Sequence, residues 1–207
     1  IQAVAKAVIE PYETQFNGSG LYDLTSVILT ADHGGGSGEH GIYGHGRMFF
    51  DEFNRVPLII KMPYAKEGKR ITHLAQSIDI LPTALEAVGI EIPHQAQGKS
   101  LLGLMREANA SPPNEYIFEE TLSEKSIRSQ EWKLWINSNG EKMLFHLSLD
   151  PKELRNVYSQ NQAIAEKLES ELNKWLSSLP SYKDQEYPFA PEIDKTGQER
   201  IRKTGYW

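Results

Sequence analysis

The chain contains no cysteine, which excludes disulfides and thiolate metal sites among its 207 residues. It also lacks any run of the roughly 20 apolar residues that a membrane-spanning helix requires. Basic residues are scattered rather than clustered, and the formal net charge is −6. Nucleic acid and anionic membrane surfaces are therefore not expected as general partners. There is no internal repeat and no low-complexity tract. Neither an initiator Met nor a signal peptide stands before Ile1, so the sequence reads as a piece of a longer protein or a trimmed product.

What is present begins with a helical spacing of Ile1, Val4, Val8, Tyr12 and Phe16, with Pro11 expected to end or kink that helix. Asn17-Gly18-Ser19-Gly20 is a stop. Residues 26–30 form a short strand without polar alternation, the pattern of a central parallel strand covered on both faces. Residues 56–61 read as a second strand, with Pro57 near its start. A helix then opens at Ser77-Ile78-Asp79, capped by Ser77 or Asp79, with Pro82 in its first turn. Leu81, Leu85 and Val88 form its apolar stripe, and Gly89 stops it. Residues 98–104 suggest a shorter helix.

The character changes after Ala108-Asn109-Ala110-Ser111-Pro112-Pro113, a linker pattern. Tyr116-Ile117-Phe118, Trp132-Lys133-Leu134-Trp135-Ile136 and Met143-Leu144-Phe145-His146-Leu147 read as strands, the last two joined by a two-residue Asn139-Gly140 hairpin turn. A helix carrying Ile164, Leu168, Leu172, Trp175, Leu176 and Leu179 on one face follows. The expected organisation is an α/β part over 1–108, a small α+β part over 109–180 and a surface-wrapping tail over 181–207.

Chemistry concentrates at Thr30-Ala31-Asp32-His33-Gly34, directly after the apolar strand. Open α/β sheets bind ligands beyond the carboxyl ends of their strands. An adjacent carboxylate and imidazole there can supply two ligands to a divalent ion, with others coming from elsewhere. The plain structural reading is that Asp32 caps the turn and His33 bonds locally. His45, flanked by Gly44 and Gly46, can donate a proton or meet an anion, although a loop histidine is more often inert. Arg47 and His40 are weaker candidates. His73, His94 and His146 do not cluster and are given no function. Glu119-Glu120 reads as a solvated strand end. Asn17-Gly18-Ser19 and Asn109-Ala110-Ser111 fit the glycosylation pattern, which arises often by chance.

Several separated stretches, taken in order, resemble the C-terminal half of the sulfatase family of the alkaline-phosphatase superfamily. They are Leu21-Tyr22-Asp23, Ile28-Leu29-Thr30-Ala31-Asp32-His33-Gly34, Glu39-His40-Gly41-Ile42-Tyr43-Gly44-His45-Gly46 and Asp51-Glu52-Phe53-Asn54-Arg55-Val56-Pro57-Leu58-Ile59-Ile60. The likeness continues through Ser77-Ile78-Asp79-Ile80-Leu81-Pro82-Thr83, Ser126-Ile127-Arg128 and Asp150-Pro151. It reaches the closing Glu199-Arg200-Ile201-Arg202-Lys203-Thr204-Gly205-Tyr206.

The resemblance implies an alkaline-phosphatase-like, mostly parallel sheet with flanking helices, followed by a small antiparallel α+β subdomain. It implies a formylglycine hydrate, made from a Cys or Ser in a Cys/Ser-x-Pro-x-Arg motif, that attacks sulfate-ester sulfur beside a divalent ion, usually calcium. Asp32 and His33 are then the later metal ligands, and His45 is the sulfate contact or leaving-group acid. Arg47 is a weaker substrate contact. The nucleophile and the first metal-binding aspartates belong to a half that is not in this chain. Ser178-Leu179-Pro180-Ser181-Tyr182 ends in Tyr where the motif needs Arg. The expectation is a sulfuric ester hydrolase that is inactive without its N-terminal half, acting in the periplasm or outside the cell. The alternatives are a phosphodiesterase or phosphonate monoester hydrolase of the same superfamily, or a non-catalytic remnant serving binding or assembly.

Overall fold

The computed structural model describes residues 10–44, 49–65, 67–107 and 110–179. The chain divides into two compact units, Ile1–Leu172 and Asn173–Trp207. Nearly all the described structure lies in the first.

The described residues of that unit open with helix α1 (Glu10–Ser19), which includes Pro11; Ile1, Val4 and Val8 lie outside the described residues, and with them the expected break or kink. Gly20, at a φ of 70°, follows as the stop. Strand β1 (Val27–Thr30) pairs with β4 (Leu58–Lys61), Val27 standing opposite Lys61 and Thr30 opposite Leu58. The pairing is antiparallel, and neither face of β1 is fully buried. The expected parallel arrangement is thus absent among the described residues. An unbroken apolar run records that a strand is shielded, not which way its neighbour points.

Between these strands the chain makes a two-residue ribbon, β2 (Gly36–Ser37) with β3 (Tyr43–Gly44), and a single-turn helix α2 (Asp51–Asn54). Phe53 of α2 is buried.

The helix expected at Ser77 starts as a 3-10 turn, Ser77–Asp79, and continues as α3 (Ile80–Ala87). Its capping box uses Gln76 and Asp79 instead of Ser77. The Asp79 carboxylate is 0% exposed and accepts from Gln76 N at 2.9 Å, Lys99 N at 2.8 Å and Asn114 Nδ2 at 2.7 Å. One buried side chain therefore ties the helix start to two later segments. Two residues of the apolar stripe are exposed in this chain, Leu81 at 55% and Val88 at 67%, while Pro82 and Thr83 are buried. Gly89, at a φ of 73°, ends the helix as expected. The shorter helix is α4 (Leu102–Arg106).

A four-stranded antiparallel meander follows: β5 (Ile117–Glu120), β6 (Lys125–Arg128), β7 (Trp132–Ile136) and β8 (Lys142–His146), in that order. Strand β6 carries no strand signal in its sequence, since Lys125-Ser126-Ile127-Arg128 lacks an apolar pattern, yet Ser126 and Ile127 are buried. The β7–β8 hairpin is present, but its loop is longer than two residues. Asn137 Oδ1 accepts from Asn139 N and Glu141 N, and Gly140 takes a φ of 78°.

Register sorts the sheet into two faces. Ile127, Leu134 and Leu144 stand opposite one another on one face. The other carries Arg128, Lys133 and Phe145 in one row and Ser126, Trp135 and Met143 in the next. Trp135 and Phe145 cluster with Phe49 and Leu147. The closing helix α5 (Gln162–Ser178) buries Ala165, Leu168 and Leu172 in the first unit.

Candidate active site

Asp32 and His33 follow β1 directly, where the backbone leaves its pairing with β4. The turn holds them together. His33 N donates to Asp32 Oδ1 at 2.9 Å, and His33 Nδ1 lies 2.7 Å from the Gly34 carbonyl oxygen. A carbonyl only accepts, so Nδ1 carries the proton and Nε2 is the basic atom of the neutral ring. Nε2 lies 3.8 Å from Asp32 Oδ2, and the two side chains are 44% and 73% exposed. A carboxylate and a ring nitrogen therefore stand side by side at a partly exposed turn, in forms suited to a hard or borderline cation. Among the described residues no group of three or more potential ligands forms. The pair fits half a metal site, not a whole one.

Glycines set the approach of the following segment. A Cβ on Gly34 would strike the Glu52 carbonyl oxygen, and Gly34 N donates to Phe53 O at 2.7 Å. A Cβ on Gly36 would come within 2.5 Å of Ile42 O and 3.0 Å of the Phe53 ring. The loop beside Asp32 and His33 is thus laid against α2, and only hydrogen fits there.

Helix α2 is in turn clamped to the four-stranded sheet by buried charge. Asp51 Oδ1 pairs with Arg128 and lies 3.3 Å from Lys133 Nζ. Lys133 reaches Glu153 at 2.9 Å, and Glu153 Oε2 accepts from Asp51 N at 2.6 Å. Burial pushes the Glu153 carboxyl above the usual carboxylate range, with Lys133 pulling the other way. Glu119, expected as a solvated strand end, belongs to this cluster instead, accepting from Ser126 Oγ at 2.7 Å. Burial raises its pKa too, again opposed by Lys133.

His40 departs from its expectation as a weak site candidate. Its Nδ1 lies 2.6 Å from Glu52 Oε1 and its Nε2 3.3 Å from Glu153 O, and its ring stacks on Phe50 at 3.7 Å. Burial lowers its pKa, but the hydrogen bonds to Glu52 and to the Glu153 backbone outweigh this and the net shift is upward. His45 and Arg47 lie outside the described residues.

Residues brought together here, and not found by sequence reasoning, are Asp51, Glu52, Lys133 and Glu153. Their signal was only the acidic pair Asp51-Glu52 opening a short helix. Nothing local announces that Lys133 sits under it.

The family model for "N-sulphoglucosamine sulphohydrolase, C-terminal" matches residues 38–179. An N-acetylglucosamine-6-O-sulfatase of Bacteroides thetaiotaomicron is 30% identical over 155 residues, which are 68% of this chain and 28% of that protein. Arylsulfatase K of Xenopus laevis is 30% identical over 196 residues, 87% of this chain and 36% of its own length. The solved structure of BT4656 in complex with its substrate D-glucosamine-2-N,6-O-disulfate is 27% identical, with a TM-score of 0.64 over 82% of this chain and 36% of that one. A phosphonate monoester hydrolase of Agrobacterium radiobacter shares the fold at a TM-score of 0.66 and 23% identity, covering 81% of this chain and 37% of its own. The chain spans about a third of the length of the curated relatives it matches. It belongs to the sulfatase family, as a C-terminal portion of such a protein.

Proposed function

We propose that this chain is part of a metal-dependent enzyme that hydrolyses sulfate esters, with sulfated glucosamine-type sugars as the substrate class. The family model, one curated relative and one solved complex all name glucosamine derivatives, which supports that class. The observation that carries the reading is the pairing of Asp32 Oδ2 with His33 Nε2, 3.8 Å apart beyond the end of β1.

In this reading Asp32 and His33 hold a divalent ion, calcium by family likeness, together with carboxylates supplied by the rest of the protein. When bound, that ion gathers negative sulfate oxygens and offsets the charge that develops in the transition state. The Gly34 carbonyl engages Nδ1, which leaves Nε2 as the ring nitrogen that can face the ion. His45 contacts the sulfate or protonates the leaving oxygen, with Arg47 as a further anion contact. The glycine-rich segment keeps bulk away from the sulfuryl group. The formylglycine nucleophile comes from outside this chain, which has no cysteine and whose Ser178-Leu179-Pro180-Ser181-Tyr182 ends in Tyr where the motif needs Arg.

The remaining organisation follows the same proposal. Residues 1–108 form the end of the catalytic α/β domain, 109–180 a small α+β subdomain and 181–207 a tail. Strand β1 joins a mostly parallel sheet built largely by the missing part, with β4 as its antiparallel neighbour. Ile59, Leu81, Val88 and Ile90 are exposed and apolar, and the N-terminal half of the protein is the partner that covers them.

The test is Asp32→Asn and His33→Ala in the complete polypeptide, assayed for sulfate release from a 6-O-sulfated glucosamine. Each change is expected to lower turnover at least about a hundredfold with little loss of fold, because both side chains are exposed. Activity within about twofold of the parent would remove these residues from the mechanism. Phosphonate and sulfate esters of matched leaving groups, offered to the same protein, separate sulfatase from phosphonate hydrolase.

A further inference from the structure

We propose that His40 is a positioning residue, held as an imidazolium between two oxygen acceptors, which fastens the glycine-rich segment beside Asp32 and His33 and releases it on losing its proton. Its meaning for catalysis rests on the function proposed above; its geometry does not.

The two ring nitrogens face different partners. Nδ1 lies 2.6 Å from a Glu52 carboxylate oxygen and Nε2 lies 3.3 Å from the Glu153 carbonyl oxygen. A carbonyl and an ionised carboxylate only accept hydrogen bonds. A neutral imidazole carries one proton, so either tautomer turns a lone pair towards an oxygen. Only the cation satisfies both.

The backbone agrees. His40 has a φ of 53°, a left-handed conformation that a residue with a Cβ keeps only when its surroundings enforce it. The stacking of its ring on Phe50, interplanar angle 5°, is part of that enforcement. The other hydrogen bonds of residues 36–44 close within the segment: Ser37 N to Glu39, Gly38 N to Ile42 O and Gly41 N to Gly38 O. The His40 ring thus carries the segment's hydrogen bonds to α2 and to the turn after β8.

The charged groups around the ring come from each element packed against it. Glu52 faces it from α2 and Glu153 from the turn after β8, with Asp51 and Lys133 on the far side of Glu153. Glu39 stands next to it in its own turn and is itself within the field of Lys152. Carboxylates dominate the immediate surroundings. Burial disfavours the charged ring, yet the balance lies towards protonation. The sign follows: a histidine raised in the folded state gives its full fastening below the ordinary histidine pKa, and that fastening is lost as pH rises through the raised value.

The experiment is hydrogen exchange by mass spectrometry on the full chain across a pH series, corrected for intrinsic exchange. Exchange of the histidine ring C2 hydrogen reads the His40 midpoint in the same samples. The His40 midpoint is expected above the ordinary histidine value, and amide protection over 36–44 is expected to fall about tenfold through that same midpoint. His40→Arg, a permanent cation with several donors, keeps protection at high pH. His40→Asn, which tolerates the left-handed backbone, is unprotected throughout. Glu52→Gln lowers the His40 midpoint. Three results overturn the proposal: a midpoint at or below the ordinary value, protection over 36–44 that is flat with pH in the parent chain, or an unchanged midpoint in Glu52→Gln. None of these readings involves sulfate release. A failure of the sulfatase assignment therefore leaves them standing, and their failure leaves the activity test untouched.

Discussion

Lys133 Nζ lies 2.9 Å from Glu153 Oε1, with both side chains only 1% exposed. This pair, together with Asp51, is where the four-stranded sheet grips the helix under the candidate site. Buried charge of this kind is weak evidence for stability as such, because desolvation offsets much of the attraction. It is strong evidence for fixed geometry, since each partner is costly to leave alone.

Removing the cation should therefore be severe. Lys133→Met leaves Glu153 without its ammonium and Asp51 with Arg128 as its remaining close buried cation. A loss of about 3–5 kcal/mol is expected from the uncompensated carboxylate, measured by urea unfolding. A change under about 1 kcal/mol would mean that the pair behaves like a surface salt bridge.

The raised carboxyls make a pH prediction of defined sign. Glu119 and Glu153 bind protons more tightly folded than unfolded, because burial disfavours their charge. Their contribution is present below the ordinary carboxylate pKa and is lost as pH rises through the raised values. Glu119→Gln removes one such group. The variant should gain on the parent as pH climbs from about 4 towards neutrality, and a difference that runs the other way contradicts the assignment.

Gly34→Ala tests the close approach of the site loop. Its new methyl meets the Glu52 carbonyl oxygen and lies 3.3 Å from Phe53 Cα, so the Gly34 N–Phe53 O bond must open. A loss of about 1–3 kcal/mol is expected, with faster amide exchange over 36–44. Gly41→Ala, which has open space but a φ of 74°, separates steric from backbone effects.

Asp79→Ala should unfold a different part. Three donors lose their acceptor at once: Gln76 N, Lys99 N and Asn114 Nδ2. Unsatisfied buried donors at about 1–3 kcal/mol each predict a large drop in thermal midpoint. Asp79→Asn, which keeps the shape and part of the accepting capacity, is expected to lose less.

The 207-residue chain on its own should not release sulfate from an aryl sulfate above a His45→Ala control, because the proposed site draws its nucleophile and further carboxylates from the rest of the protein. Measurable turnover abolished by His45→Ala would place a complete site within this chain.

How much of this was legible beforehand depends on the range of the forces involved. The Asp-His pair after an apolar strand, the glycine stops at Gly20 and Gly89, and the two strands flanking Asn139-Gly140 follow from side-chain pattern and backbone sterics within a few residues. Such features are set locally, and reading along the chain finds them. The likeness to sulfatases drew on the same local motifs in their order.

Other properties belong only to the folded molecule. Strand β1 takes an antiparallel partner about thirty residues on, and its apolar sequence is compatible with either direction. Leu81 and Val88 have the spacing of a core stripe yet are exposed in this chain, because burial depends on what lies opposite. Lys133 lies between two acids 82 and 20 residues away, and His40 meets a carbonyl 113 residues on. The amino-acid order alone set Asp32 and His33 side by side after an apolar strand and supplied the turn glycines. The tertiary structure decided which distant residues meet, because desolvation and ion pairing act between groups that only folding brings within a few ångströms.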